Sequence, residues 1–143
     1  MATRITGGRD RGRRIRSTRG KGVRPTPKRV RAAILSIIGE EAVKGARVVD
    51  LYAGTGALGI EALSRGAASV DFVEADPRRA RRLRENLREL TTDDRGKVYQ
   101  GPVERLLPRL PGGYGLVFVD PPYDTGDWET LLSQLGKGGT IEP

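Results

Sequence analysis

Apolar side chains recur along this chain at two different spacings, and the switches between them outline its elements. Val30, Ala33, Ile34, Ile37 and Ile38 recur at helical spacing, which predicts a helix capped by Thr26, with Pro27 at its first position and Gly39 as its stop. Arg47 to Tyr52 is a short apolar run that reads as a strand. It leads straight into Ala53-Gly54-Thr55-Gly56-Ala57-Leu58-Gly59 and a second helix through Arg65. A second strand over Ser69 to Ala75 gives way to Asp76-Pro77, an N-cap followed by proline at the first helical position. The helix it opens carries Ala80, Leu83, Leu87 and Leu90 on one face, and its outer face is mostly arginine. A third strand around Lys97 to Gln100, a short helical piece at Glu104 to Leu107, a fourth strand Leu116 to Val119 and a helix over Asp127 to Leu135 follow. Strands alternating with helices predict an α/β fold with a parallel sheet covered on both faces, whose site is built from loops at the strand C-termini. Ahead of this order, residues 4 to 24 carry two short alternating stretches around Gly7, Gly8 and Gly12, which fit a basic hairpin or a disordered arm.

Charge divides the chain unevenly. Its 143 residues suffice for one domain and carry 26 basic against 18 acidic side chains, net +8. Residues 1 to 31 hold 12 of the basic residues against Asp10 alone, leaving 14 basic and 17 acidic residues in the remainder. A basic arm of this kind suits a polyanion, with Arg9, Arg11, Arg13, Arg14, Arg24, Arg29 and Arg31 as candidate phosphate contacts; the plainer reading is a solvated tail. Cysteine and histidine are both absent, which excludes disulfides, thiolate or imidazole metal sites, cysteine nucleophiles and Ser-His-Asp hydrolysis. No apolar run approaches the roughly 20 residues of a membrane span, and the arginine-rich start lacks the apolar core of a signal peptide, so a cytoplasmic protein with no membrane partner is expected.

Two segments carry candidate chemistry. Gly54-Thr55-Gly56-Ala57-Leu58-Gly59 has the spacing of a dinucleotide loop, and Glu74 lies 20 residues beyond Gly54, where an acid would hold ribose hydroxyls. Asp50 argues against a dinucleotide: a fixed carboxylate at the mouth of the loop repels a pyrophosphate but attracts an ammonium and a sulfonium. S-adenosylmethionine has both. The alternative is that the glycines only make a tight turn. Asp120-Pro121-Pro122-Tyr123, delivered by the fourth strand to the same edge, holds the Asp120 carboxylate and the Pro121 carbonyl rigidly as two acceptors. They suit the two N–H bonds of an exocyclic amine while Tyr123 stacks on a base; taken alone, the segment reads equally as a turn with Asp120 as a cap. A carboxylate metal site of Asp120, Asp124 and Asp127 is not expected, because Asp127 serves better as a helix cap.

Three stretches together resemble the RsmD-type guanine-N2 methyltransferases of small-subunit (16S) ribosomal RNA. They are Arg24-Pro-Thr-Pro-Lys-Arg-Val-Arg31, the run from Asp50 through Gly66, and Asp120 to Tyr123. The likeness covers essentially the whole chain. It implies a Rossmann-like class I methyltransferase in which Asp50 and the Ala53 to Gly56 loop hold the methionine part of S-adenosylmethionine. Glu74 would then hold the ribose and the Val103 N–H the adenine, with Tyr52 and Ala75 as neighbouring contacts. Asp120, Pro121, Pro122 and Tyr123 would position the guanine amine. Two departures stand out: Gly101-Pro102 occupies the place of an acid often found after the third strand, and the chain stops at Ile141-Glu142-Pro143 where related enzymes continue into further strands. The expectation is therefore an arm over residues 1–24, a C-terminally short methyltransferase domain over 25–143, and a fourth strand left as an exposed edge. The expected partner is small-subunit ribosomal RNA or the subunit itself, and the expected state is a monomer able to associate through that edge. Amino methylation of another nucleic acid, such as adenine N6 in DNA, and a non-catalytic fragment binding cofactor and RNA remain as alternatives.

Overall fold

The computed structural model describes residues 2–16, 28–90 and 93–119. In chain order these form a hairpin of β1 (Ala2–Arg4) and β2 (Arg14–Arg16), then α1 (Lys28–Ile38), α2 (Glu40–Val43) and β3 (Arg47–Leu51). There follow α3 (Ala57–Ser64), β4 (Ser69–Glu74), α4 (Pro77–Arg88), β5 (Gly96–Gln100), α5 (Val103–Leu106) and β6 (Leu116–Val119). The four long-range strands pair in parallel in the order β5-β4-β3-β6. The chain thus steps outward from β3 to β5 and then returns to the other side of β3, leaving a topological switch between β3 and β6, where open α/β sheets place their ligands.

Strand alternation divides the core. Val48, Val70, Phe72 and Phe118 pack beneath Ile60 and Leu63 of α3 and Leu83 and Leu87 of α4. Val49, Leu51 and Val73 point the other way, against Val103, Leu107 and Tyr114. The expected Asp76-Pro77 start holds: the Asp76 Oδ2 accepts the Arg79 N–H at 3.0 Å, with proline at the first position of α4. The expected face of α1 is corrected. Ile34, Leu35 and Ile38 meet the core, Leu35 being buried, whereas Ala33 is exposed and Ile37 is 85% exposed. Packing turns the helix toward Leu35, a residue outside the stripe read from spacing. The short α2 was not expected, and the strand read as Ser69 to Ala75 ends at Glu74, where Asp76 begins capping the next helix.

The amino-terminal stretch is a hairpin, in register Ala2 with Arg16, Thr3 with Ile15 and Arg4 with Arg14. Its Ile5 and Ile15 are each 1% exposed and belong to the same apolar cluster as α3 and α4. Full burial of such side chains contributes roughly 1.5–3 kcal/mol each. Polar contacts fasten the hairpin to the helices. The Thr6 and Gly7 N–H groups donate to the buried Glu61 carboxylate at 2.8 and 3.1 Å, and Arg65 joins the same carboxylate at 3.1 Å. Ser64 accepts the Asp10 N–H through its hydroxyl and the Arg9 N–H through its carbonyl. Among the described residues, no helix is long and apolar enough to cross a membrane.

Candidate functional site

Asp50 and Glu74 sit near the carboxyl ends of neighbouring parallel strands, since Asp50 pairs with Phe72 and Leu51 with Val73. Beyond Leu51 the backbone turns sharply. Tyr52 takes φ 58°, a left-handed conformation that is rare for a residue with a bulky side chain, and the next N–H, from Ala53, donates to the Val73 carbonyl at 2.9 Å. Such strain costs roughly 1–3 kcal/mol and gathers at sites that use it. The Glu74 carboxylate, 6% exposed, then ties the loop down. Its Oε1 accepts the Gly54 N–H and its Oε2 the Asp76 N–H, both at 2.8 Å.

The three glycines are required for different reasons. Gly54 has φ 61°, and a Cβ there would meet nothing within 4 Å, so this side of the loop faces open space. Gly56 has φ 81°, and its Cβ would lie 2.1 Å from the Leu83 Cδ1 of α4. A Cβ on Gly59 would fall 2.4 Å from the Phe72 ring, so this glycine lets α3 lie close on β4. Because the N-cap Gly56 has no side chain to bond the helix start, Asp50 supplies the acceptor from β3: its buried Oδ2 takes the Gly59 N–H at 3.2 Å. This capping role was not read from the sequence.

Two further contacts hold the rim of the loop. The Tyr52 hydroxyl donates to Glu104 Oε1 of α5 at 3.3 Å; burial first, and then the Glu104 charge and this bond, raise its pKa. The Gly101 N–H donates to the Glu74 carbonyl at 2.9 Å and brings the end of β5 alongside. Val103 opens α5, so its N–H lies outside the helical ladder. Sequence reasoning also missed Asn86, which is 1% exposed on α4. Its side-chain oxygen accepts the Arg16 N–H at 3.1 Å, and its amide donates to the carbonyls of Arg16 at 2.8 Å and Thr55 at 3.4 Å. One side chain thereby joins the hairpin to the glycine loop. The only local signal was a neutral amide on the apolar side of an arginine-rich helix.

The carboxyl ends of β3, β4 and β5 thus gather Asp50, Tyr52, Ala53, Gly54, Gly56, Glu74, Ala75 and Val103 at one edge of the sheet. β6 ends at Val119, paired with Leu51, so the chain leaves the sheet at that same edge; Asp120, Pro121, Pro122 and Tyr123 lie outside the described residues. Arg9, Arg11, Arg13 and Arg14 are exposed on the hairpin, Arg13 also pairing with Asp10 at 3.4 Å. Arg24 lies outside the described residues, as do the side chains of Arg29 and Arg31 in α1.

The family model described as "Conserved hypothetical protein 95" matches residues 3–143. The Ribosomal RNA small subunit methyltransferase D of Escherichia coli strain K12 is 35% identical over 138 residues, a match covering 96% of this chain and 69% of that protein. The solved structure of yhhF from Escherichia coli superposes with a TM-score of 0.87 at 32% identity, covering 99% of this chain and 75% of the other. A Trypanosoma brucei PRMT1 enzyme-prozyme complex with AdoHcy is similar at 26% identity and TM-score 0.54, over 61% of this chain and 26% of that one.

Proposed function

The chain belongs to the Conserved hypothetical protein 95 family, and from that premise we propose that it methylates the exocyclic N2 amine of a guanine in small-subunit ribosomal RNA, acting as a monomer in the cytoplasm. The cofactor is S-adenosylmethionine. One observation carries the reading: Glu74 grips the Gly54 N–H beside the open side of the glycine loop. An ionised carboxylate has about four acceptor sites, and Glu74 uses one on each oxygen for backbone N–H groups. Each oxygen therefore retains capacity for one of the two vicinal hydroxyls of a ribose, and the absent Cβ of Gly54 leaves room beside it. The residues present fit the cofactor.

Bound there, S-adenosylmethionine supplies an electrophilic methyl group. In this proposal Asp50 adds negative charge beneath the methionine ammonium, Tyr52 and Ala53 line the loop, and Ala75 and the Val103 N–H meet the adenine side. Asp120 and the Pro121 carbonyl accept the two N–H bonds of the target amine, and Tyr123, following Pro122, stacks on the base. Holding both N–H bonds directs the nitrogen lone pair outward and favours the positive charge that grows on nitrogen as the new bond forms. Arg9, Arg11, Arg13 and Arg14, with Arg24, Arg29 and Arg31, contact RNA phosphates, residues 1–24 serving as the RNA-contacting arm of the methyltransferase domain over 25–143.

The test is transfer of labelled methyl from S-adenosylmethionine to unmodified small ribosomal subunits, to naked small-subunit RNA and to duplex DNA, followed by nucleoside analysis. N2-methylguanosine from the ribosomal substrates is expected, and Asp120→Ala should abolish it with little change in S-adenosylhomocysteine affinity. N6-methyladenine from DNA, or no turnover on any substrate, would overturn the proposal.

A further inference from the structure

α4 contains six arginines in its twelve residues, and its only acid is Glu85. Two of the arginines have partners within the chain: Arg79 faces Asp76 at 3.9 Å and Arg82 faces Glu85 at 3.0 Å. Arg78, Arg81, Arg84 and Arg88 are exposed and have no ion-pair partner among the described residues. Their intervals of three, three and four residues set them in one stripe about 15 Å long, at a rise of 1.5 Å per residue. The stripe lies opposite the side that buries Ala80, Leu83 and Leu87.

Helix stability does not account for this stripe. Like charges three and four residues apart repel each other. The first turn of α4 has no acid and two arginines, Arg78 and Arg79, so positive charge stands at the positive end of the helix dipole. Charge of one sign, all of it guanidinium, is the chemistry that pairs with phosphate oxygens through two parallel N–H bonds. Its position suits that use. α4 begins three residues after Glu74, at the edge that carries the glycine loop, and Asn86 lays β2, with its exposed Arg14 and Arg16, along the same helix.

Resting on the methyltransferase reading above, we propose that Arg78, Arg81, Arg84 and Arg88 form a second RNA-backbone surface flanking the hairpin. A substrate strand then spans two elements fastened to one another, and its phosphates are held at the rim of the site from the α4 side as well as from the arm.

The experiment compares the wild-type chain with R78Q/R81Q/R84Q/R88Q and R78K/R81K/R84K/R88K. Gln and Lys have helix propensities close to that of Arg, and the hairpin is left intact. Binding of a small-subunit ribosomal RNA transcript is measured over a salt series, with S-adenosylhomocysteine titration and thermal melting as controls for the fold. Each phosphate contact contributes about 0.7 to 0.9 to the slope of log K against log salt, so the glutamine variant should lose about 3 in slope and bind more weakly, while the lysine variant keeps the wild-type slope. A folded glutamine variant with unchanged slope and affinity would overturn the proposal, even where wild-type chain binds the transcript and makes N2-methylguanosine. Loss of binding to assembled subunits with naked RNA binding unchanged would also overturn it, pointing to an acidic protein face instead. A reduced slope in a chain that makes no N2-methylguanosine would uphold the surface and overturn only the methylation reading. Failure of wild-type chain to bind the transcript would overturn the surface, whereas the methylation reading falls only if no N2-methylguanosine forms on the ribosomal substrates.

Discussion

Replacing Glu61 by Gln alters charge and leaves shape unchanged, so it isolates what clasps the hairpin to α3. Glu61 is 0% exposed, and the partners named above, the Thr6 N–H, the Gly7 N–H and the Arg65 Nε, are all donors. A glutamine amide offers one acceptor oxygen and an NH2 group in the same space, so at least one donor must face another donor. A hydrogen bond to a charged group contributes roughly 1.5–3 kcal/mol and a neutral one about 1 kcal/mol, with one of the two backbone bonds lost and the other weakened. The Arg65 side chain is 26% exposed and regains part of its hydration, so its share is discounted. The expected loss is ~3 kcal/mol, and at roughly 2–5 °C per kcal/mol for a domain of this size the midpoint should fall on the order of 10 °C. Urea unfolding gives the stability, and amide hydrogen exchange at Thr6 and Gly7 locates the loss. RNA affinity should fall in parallel, because Arg9, Arg11, Arg13 and Arg14 then lose their fixed positions. A variant within about 1 kcal/mol of wild type, with the Thr6 and Gly7 amides still protected, would refute the reasoning.

The glycine loop should separate fold from ligand. Gly54→Ala meets open space and should cost only the left-handed penalty of roughly 1–2 kcal/mol, yet weaken S-adenosylhomocysteine in calorimetry; Gly56→Ala, driven into Leu83, should lose more stability than that. Unchanged ligand affinity in Gly54→Ala would mean that the cofactor does not lie on that side. Asn86→Ala strips partners from Arg16 and Thr55 at once and should cost roughly 2–3 kcal/mol, loosening both the hairpin and the loop; exchange rates that rise in one and not the other would contradict the link. Tyr114, buried, donates to Asp71 Oδ2 at 2.5 Å, and burial, then this bond, hold its pKa above the ordinary tyrosine value. A raised pKa contributes stability below about pH 10 that declines as pH climbs toward the folded value, so the advantage of wild type over Tyr114→Phe in urea should shrink between about pH 10 and 11. A gap constant across that range would count against the bond.

What the chain disclosed in advance was local. The cap at Asp76-Pro77, the strand running into Gly54, and the 20-residue interval to Glu74 each depend on neighbours in sequence or on a single βαβ unit, and each stands where expected. What stayed hidden depends on pairing across the chain. Asn86 meets a strand 70 residues away, Glu61 meets a turn 54 and 55 residues away, and neither residue type at its position announces a partner. The face of α1 went astray for the same reason: Ile34 and Ile38 fit two overlapping stripes, and only the surface beneath the helix selects the one that buries Leu35 over the one that would bury Ile37.

Asp50 shows how one residue can carry a use that its sequence neighbours do not announce. Its charge argues for a cationic ligand whatever the fold, because a carboxylate beside a glycine loop repels phosphate. Its bond to the Gly59 N–H could not be anticipated, since it exists only because Gly56, the cap position, carries no side chain and α3 starts directly above the end of β3. Under the proposed function the two uses are compatible: the Asp50 side chain ties the start of α3 to the end of β3, the strand that leads into the glycine loop. Asparagine at this position would keep an oxygen for Gly59 and lose the charge, whereas alanine would lose both. The contrast between those two substitutions therefore separates the proposed ligand-facing role of Asp50 from its support of α3: S-adenosylhomocysteine affinity should fall in both, and stability mainly in alanine.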